Sequence, residues 1–122
     1  MCGILGYYSK SNKQKQTDYL FLKDFIESLR KLQHRGRDGY GVCYFDGNKC
    51  PHYIRDFGLI PEIDKTKLDV KMNMGVGHIK YATYTNDTEN SKDMVLQPIS
   101  SVKNRREITM VHNGNIPNTP YY

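Results

Sequence analysis

The chain has 122 residues, with 18 Lys and Arg against 13 Asp and Glu and a formal charge of +5. That length is typical of one domain, so we expect one domain, or part of one, rather than several catalytic modules. The lysines are scattered and the densest basic runs lack interleaved aromatic residues, so the charge favours a solvated basic surface over a nucleic-acid-binding site.

The three cysteines, Cys2, Cys43 and Cys50, form no CxxC pair, and no stretch approaches the roughly 20 apolar residues of a membrane span. The sequence therefore predicts neither a disulfide scaffold nor a membrane protein. Residues 1–10 contain no basic segment followed by an apolar one, so we expect no export signal and a location in the reducing cytosol.

The first part of the chain predicts a strand followed by a helix. Residues 2–8 are an apolar and aromatic run, which we expect to form a buried strand. Thr17 or Asp18 can cap a helix that Gly36 can end. The apolar residues of this helix recur at helical spacing and predict one buried stripe: Leu22, Phe25, Ile26, Leu29 and Leu32.

Two further strand-like runs, residues 40–45 and 50–57, flank Asp46, Gly47 and Asn48. Residues of these types tolerate a positive φ, so the pattern predicts a hairpin.

The remaining chain predicts a short helix over residues 60–68, a strand over 74–84 and a loop over the polar residues 86–93. Residues 107–112 predict a last strand, directly before Asn113 and Gly114. Because strands outnumber helices, the predicted fold class is α+β.

Cys2 directly after the initiator Met1 is the first candidate for chemistry. Removal of Met1 would give Cys2 a free α-amine beside its thiol, so that one residue could supply both the nucleophile and the base that activates it. The alternative is a structural cysteine acting as a small apolar side chain in a strand.

Asn113 and Gly114 are the second candidate. After a strand, this pair is typical of a tight turn, but residues 117 and 120 are prolines and no return strand follows. The alternative is that the Asn113 side-chain amide and the Gly114 N–H converge on one oxyanion.

Two glycine-containing segments are weaker candidates. LQHRGRDGYG, residues 32–41, could be a helix C-terminal cap or a loop that shapes a site. GVGHIKYAT, residues 75–83, offers the Lys80 cation and the Thr83 hydroxyl near a strand end. The four histidines have no metal-ligand spacing, so we predict no metal and no cofactor.

The order of MCGILGYY, LQHRGRDGYG, GVGHIKYAT, LQP and MVHNGN resembles the glutaminase domain of class II glutamine amidotransferases, a family of N-terminal nucleophile enzymes. The QHRG segment makes the chain most similar to amidophosphoribosyltransferases within that family. The resemblance extends from Met1 to about Asn118. It implies one type-2 glutamine amidotransferase domain over residues 1–122, an αββα sandwich of two antiparallel sheets.

The resemblance implies hydrolysis of glutamine to glutamate and ammonia. Cys2 would attack the side-chain carboxamide with its own amine as base, and Asn113 with the Gly114 N–H would hold the oxyanion. Arg35 would shape the loop beside the nucleophile. Lys80 and Thr83 would bind the α-carboxylate of glutamine, although the family carries arginine at the position of Lys80.

The family's domain continues beyond the HNGN motif, so the resemblance also implies a partial, C-terminally truncated sandwich. We expect its uncovered sheet to be covered by a second copy, a partner subunit or a local rearrangement of the last residues. Two other functions remain open: a catalytically inactive binding or regulatory module, and a nucleic-acid-binding protein, which we do not favour.

Overall fold

The computed structural model describes residues 2–10, 20–47, 50–62, 64, 66, 68–81 and 95–114. Strands dominate this part of the chain, and every strand pair is antiparallel. The elements are β1 (Gly3–Tyr8), β2 (Leu20–Phe21), α1 (Leu22–Arg30), a 3-10 helix (Gln33–Arg35), β3 (Gly39–Phe45), β4 (His52–Phe57), β5 (Lys71–Met72), β6 (Met74–Lys80), β7 (Ile99–Lys103) and β8 (Arg106–Met110). This content is compatible with the predicted α+β class.

A four-stranded sheet in the order β1-β6-β3-β4 is the centre of the fold. β6 lies between β1 and β3, with Gly3 opposite Ile79 on one side and Gly41 opposite His78 on the other. β2 pairs with β5, and β7 pairs with β8, as two separate two-stranded ribbons. β6 and β3 are therefore the two central strands of the described sheet.

Helix α1 covers one face of this sheet. A Cβ added to Gly77 would lie 3.1 Å from the side chains of Leu29 and Phe25, so a glycine in β6 permits the close approach of the helix. Leu22, Phe25, Ile26 and Leu29 are all buried, which confirms the predicted apolar stripe.

The ends of the helix differ from the prediction. α1 ends at Arg30 and a 3-10 turn follows, so that Gly36 ends the 3-10 segment and Leu32 lies beyond the helix. The helix begins at Leu22 with Phe21 as its N-cap, so the prediction that Thr17 or Asp18 caps it is wrong.

The β7–β8 hairpin lies against the other face. Its turn contains Asn104 and Arg105, whose φ angles are 52° and 61°. The Tyr53 hydroxyl in β4 donates to the Glu107 carboxylate at 2.7 Å. The Arg55 guanidinium donates to the Pro98 carbonyl oxygen at 3.0 and 2.7 Å. These contacts hold the hairpin and the segment before it to β4.

The strand predicted over residues 2–8 is confirmed as β1, but its predicted burial is wrong. β1 is an edge strand whose residues alternate in burial, and Ile4 is 48% and Tyr8 72% exposed. Its Leu5 and Tyr7 pack against the core on the helix side. No described residue fills the space beside Gly6 on the other side.

The hairpin predicted over residues 40–45 and 50–57 is confirmed as β3 and β4, and the predicted strand at 107–112 is confirmed as β8, ending at Met110. The short helix over 60–68 is wrong for its described residues, which are not helical. There the N–H of buried Ile60 donates to the Gln33 side chain at 2.7 Å, which ties the segment to the 3-10 turn.

The strand predicted over 74–84 is confirmed as far as Lys80, while its end and the loop predicted over 86–93 lie outside the described residues. Within the described ranges, no helix is long and apolar enough to cross a bilayer.

Candidate functional site at the carboxyl end of β6

The carboxyl end of β6 brings together segments that are far apart in the sequence. Cys2 precedes β1, whose Gly3 pairs with Ile79. The Cys2 Sγ atom lies 3.5 Å from the Tyr81 backbone nitrogen and 3.8 Å from the Tyr81 carbonyl oxygen. Antiparallel pairing of β1 with β6 thus puts the half-buried Cys2 beside the last residues of β6.

Arg35 and Gly36 wrap around the same strand end. The Arg35 Nε atom donates to the Cys2 carbonyl oxygen at 3.2 Å. A Cβ on Gly36 would lie 2.5 Å from the Lys80 carbonyl oxygen, so no side chain fits there. The Asp38 N–H donates to that oxygen at 3.0 Å. The QHRG segment is therefore a loop that packs on the residue proposed as the nucleophile, and Arg35 fixes the backbone of Cys2.

The segment that contains Asn113 and Gly114 reaches the same strand from the hairpin side. His78 Nε2 lies 3.1 Å from the carbonyl oxygen of His112, the residue before Asn113. His78 is opposite Ile4 in the ladder, two residues from Cys2. Asn113 and Gly114 are exposed, and Gly114 has a φ of +144°, a region that favours glycine.

His78 is a fully buried histidine on the face that points away from α1. Burial lowers its pKa from 6.5 to about 4 by disfavouring the charged ring, the hydrogen bond to the His112 carbonyl opposes this, and Lys80 and His112 lower the pKa further. Because a carbonyl oxygen only accepts, the neutral ring carries its proton on Nε2. No described atom is a hydrogen-bond partner of the buried Nδ1.

Lys80, the last residue of β6, is half-buried next to this cluster. Thr83, its predicted partner in binding a carboxylate, lies outside the described residues. Of the six predicted site residues, the structure brings Cys2, Arg35 and Lys80 to one strand end, and joins Asn113 and Gly114 to it through the His78–His112 hydrogen bond.

Two residues of this region were not predicted from the sequence as functional residues, namely His78 and Gln97. The Gln97 Oε1 atom accepts the His112 N–H at 2.6 Å. They lie within the motifs GVGHIKYAT and LQP, but their hydrogen bonds to His112 become visible only when the strands are assembled. Among the described residues, no group of three or more His, Cys, Asp or Glu side chains could hold a metal ion.

The arrangement can support nucleophilic chemistry at an exposed edge. The Cys2 thiol lies beside backbone groups of Tyr81, the segment that carries Asn113 is held to the same strand through His112, and Lys80 is the last residue of that strand. Such a set suits a small substrate with a carbonyl group and a carboxylate.

Comparison with known proteins identifies relatives that cover nearly the whole chain. The chain is 33% identical to the amidophosphoribosyltransferase of Methanothermobacter thermautotrophicus over 120 residues and 34% identical to that of Methanocaldococcus jannaschii over 124 residues, covering 97% and 98% of this chain. It is also 34% identical over 118 residues to the glutamine–fructose-6-phosphate aminotransferase (isomerizing) of Streptococcus pneumoniae.

The chain is a homologue of the class II glutamine amidotransferases. The aligned region is nearly the whole of this chain but only 23%, 23% and 17% of these three relatives. The chain thus spans about a fifth of the length of the curated relatives that it matches. No protein-family model matches the chain. The resemblance first found in the short motifs is confirmed, with both subgroups at similar identity.

Proposed function

We propose that this chain is a glutamine-hydrolysing domain whose nucleophile is Cys2, exposed by removal of Met1. The observation that carries the proposal is the meeting of three distant segments at the end of β6: Cys2, the Arg35–Gly36 loop and the segment leading to Asn113. Homology to amidophosphoribosyltransferases and to a glutamine–fructose-6-phosphate aminotransferase supports the choice of glutamine as substrate.

The first half of the proposed reaction forms a thioester. The α-amine of Cys2 takes the thiol proton, and the sulfur attacks the carbonyl carbon of the glutamine side chain. The Asn113 amide and the Gly114 N–H stabilise the resulting oxyanion. The ammonium form of the Cys2 amine then returns the proton to the leaving nitrogen, which departs as ammonia.

In the second half, water attacks the thioester with the same amine as base. The carbon–sulfur bond breaks, the thiol regains its proton and glutamate leaves. Lys80 and Thr83 bind the α-carboxylate of the substrate, and Arg35 holds the Cys2 carbonyl so that the first residue keeps its orientation.

We also propose that the described layers are part of an αββα sandwich formed by a single domain over residues 1–122. The support is the position of α1 on one face of the four-stranded sheet and of the β7–β8 hairpin on the other.

The test compares two of the three cysteines, the proposed nucleophile Cys2 and the exposed Cys50. Intact mass shows whether Met1 is removed, and a glutamine-analogue electrophile should label wild-type protein once. Cys2→Ala should lose both labelling and glutamate release, whereas Cys50→Ala, which changes an exposed thiol, should keep both.

Retained Met1 would exclude the amine-assisted mechanism. Equal glutamate release by wild type and Cys2→Ala would contradict the proposed nucleophile. A processed, folded protein that neither reacts with the analogue nor releases glutamate would instead favour the inactive binding or regulatory module.

A further inference from the structure

The backbone N–H and the carbonyl oxygen of His112 are both hydrogen-bonded to side chains from other parts of the fold. The His112 N–H donates to Gln97 Oε1 at 2.6 Å, and the His112 carbonyl accepts from His78 Nε2 at 3.1 Å. We call His78 and Gln97 the His112 clamp. Strand β8 ends at Met110, so these two bonds hold the backbone where the β7–β8 ladder has ended.

The two members of the clamp are themselves anchored in the sheet. His78 has no exposed surface and lies in β6, paired on both sides with Ile4 and Gly41. Gln97 lies so close to β3 that a Cβ on Gly41 would overlap the Gln97 carbonyl. Arg55 of β4 holds the next carbonyl, that of Pro98. The two hydrogen bonds of the clamp therefore fix the backbone of His112 relative to the sheet.

Asn113 and Gly114 directly follow His112 in the chain, and both are exposed. We propose that His78 and Gln97 are positioning residues that hold His112 so that the Asn113 amide and the Gly114 N–H face the oxyanion formed at Cys2. This inference rests on the function proposed above, because it assigns the two residues to that same site.

The positioning matters because an oxyanion is stabilised only by donors at hydrogen-bond distance from its oxygen. A displacement of about 1 Å at a reacting centre can lower a rate by about 10²-fold. A free peptide at His112 would allow such displacements, since Asn113 and Gly114 have little surface buried against other described residues.

The experiment uses two matched pairs of variants in the full chain. His78→Leu removes the donor and His78→Gln keeps an amide donor, while Gln97→Met removes the acceptor and Gln97→Glu keeps one. Glutamate release gives kcat and KM, and hydrogen exchange gives the protection of the backbone amides of His112 to Gly114.

We expect His78→Leu and Gln97→Met to lower kcat by about 10²-fold with KM changed only a few-fold, because substrate carboxylate binding is untouched. His78→Gln and Gln97→Glu should recover most of kcat. In His78→Leu and Gln97→Met, hydrogen exchange should become faster at residues 112–114 and stay slow in β1, β3 and β6.

Three results would overturn the inference: unchanged exchange at residues 112–114 in His78→Leu and Gln97→Met, faster exchange spread through the whole sheet, or wild-type kcat in both. A wild-type protein that releases no glutamate contradicts the proposed function instead. The exchange data then still decide whether the clamp holds the segment.

Discussion

Lysine and arginine bind carboxylates differently, and this difference makes Lys80 informative. An arginine can donate two parallel hydrogen bonds to a carboxylate, whereas a lysine ammonium offers a single charged point. Lys80 is half-buried at the strand end that also holds Cys2 and the Arg35 loop. Its position fits a substrate-binding cation, and a single charged point predicts weaker binding of the substrate carboxylate than an arginine would give.

We predict that Lys80→Arg lowers the KM for glutamine by about tenfold with little change in kcat, because the second hydrogen bond strengthens ground-state and transition-state binding alike. Steady-state glutamate release measures both constants. Lys80→Met, which keeps the stem without the charge, should raise KM. An unchanged KM in both variants would show that Lys80 does not contact the substrate.

His78 predicts a pH dependence of stability. Its pKa is about 4 in the folded chain, with burial as the main cause and with Lys80 and His112 as the nearby groups that lower it. In the unfolded chain the pKa is about 6.5. Below that value the unfolded chain binds a proton that the folded chain does not, so stability is full above about pH 6.5 and falls towards pH 4.

The expected loss from this residue is about 3 kcal/mol over that range. Urea denaturation of wild type and His78→Gln between about pH 7 and pH 4 measures it, since the variant lacks the titrating ring but keeps the other acidic and basic groups. The difference in unfolding free energy between the two proteins should change steadily with pH. Parallel curves would show that His78 is not held neutral.

At the scale of elements, the meeting of the Arg35–Gly36 loop with β6 depends on close backbone contact. A Cβ on Gly36 would lie 2.5 Å from the Lys80 carbonyl oxygen, whereas a Cβ on Gly6 would meet nothing within 4 Å. The two glycines therefore form a matched pair: one at a tight contact between elements and one on an open strand.

We predict that Gly36→Ala destabilises the fold by about 1–3 kcal/mol and lowers glutaminase activity, because the loop must move away from the strand end. Gly6→Ala should be neutral or stabilising by about 0.5 kcal/mol, since alanine suits a strand better than glycine. Chemical denaturation of both variants checks this. Equal effects would mean that the loop does not pack on Lys80 as described.

The sequence predicted elements with a strong local pattern and missed those that depend on neighbours. The stripe from Leu22 to Leu29 predicted α1 because helical spacing is a local property. β7 was missed because Ile99–Lys103 is short and mostly exposed. The burial of β1 was overestimated because an apolar run does not reveal that the strand lies at a sheet edge.

The same distinction applies to the candidate site. Cys2, Arg35, Asn113 and Gly114 were found as types of residue in short motifs, and the structure adds where they lie. The roles of His78 and Gln97 could not be predicted, because each acts through a hydrogen bond to His112, 34 and 15 residues away in the sequence.

At the scale of the whole molecule, the described chain is unevenly covered. α1 covers one face of the sheet, and the hairpin covers the other face on the β3–β4 side. Ile4 and Tyr8 on β1 remain exposed, as do Val102 and Ile108 on the hairpin. An edge strand with exposed apolar side chains and no charged residue favours association.

We predict that a second copy of the chain covers this face, so that the purified protein self-associates through β1. Light scattering should then show a mass that rises with concentration, and Tyr8→Lys should reduce it. Leu59→Lys, at an exposed apolar residue after β4, is the control. A monomer at all concentrations would exclude a second copy.

The pairing of β1 with β6 also has a consequence for the newly made protein. Cys2 is synthesised long before its neighbours in space, which are Tyr81 and the segment that leads through His112 to Gly114. Contacts between such distant parts of a chain form slowly. In the function proposed above, the site is complete only after residue 114 has left the ribosome, so a growing chain cannot hydrolyse glutamine before that point.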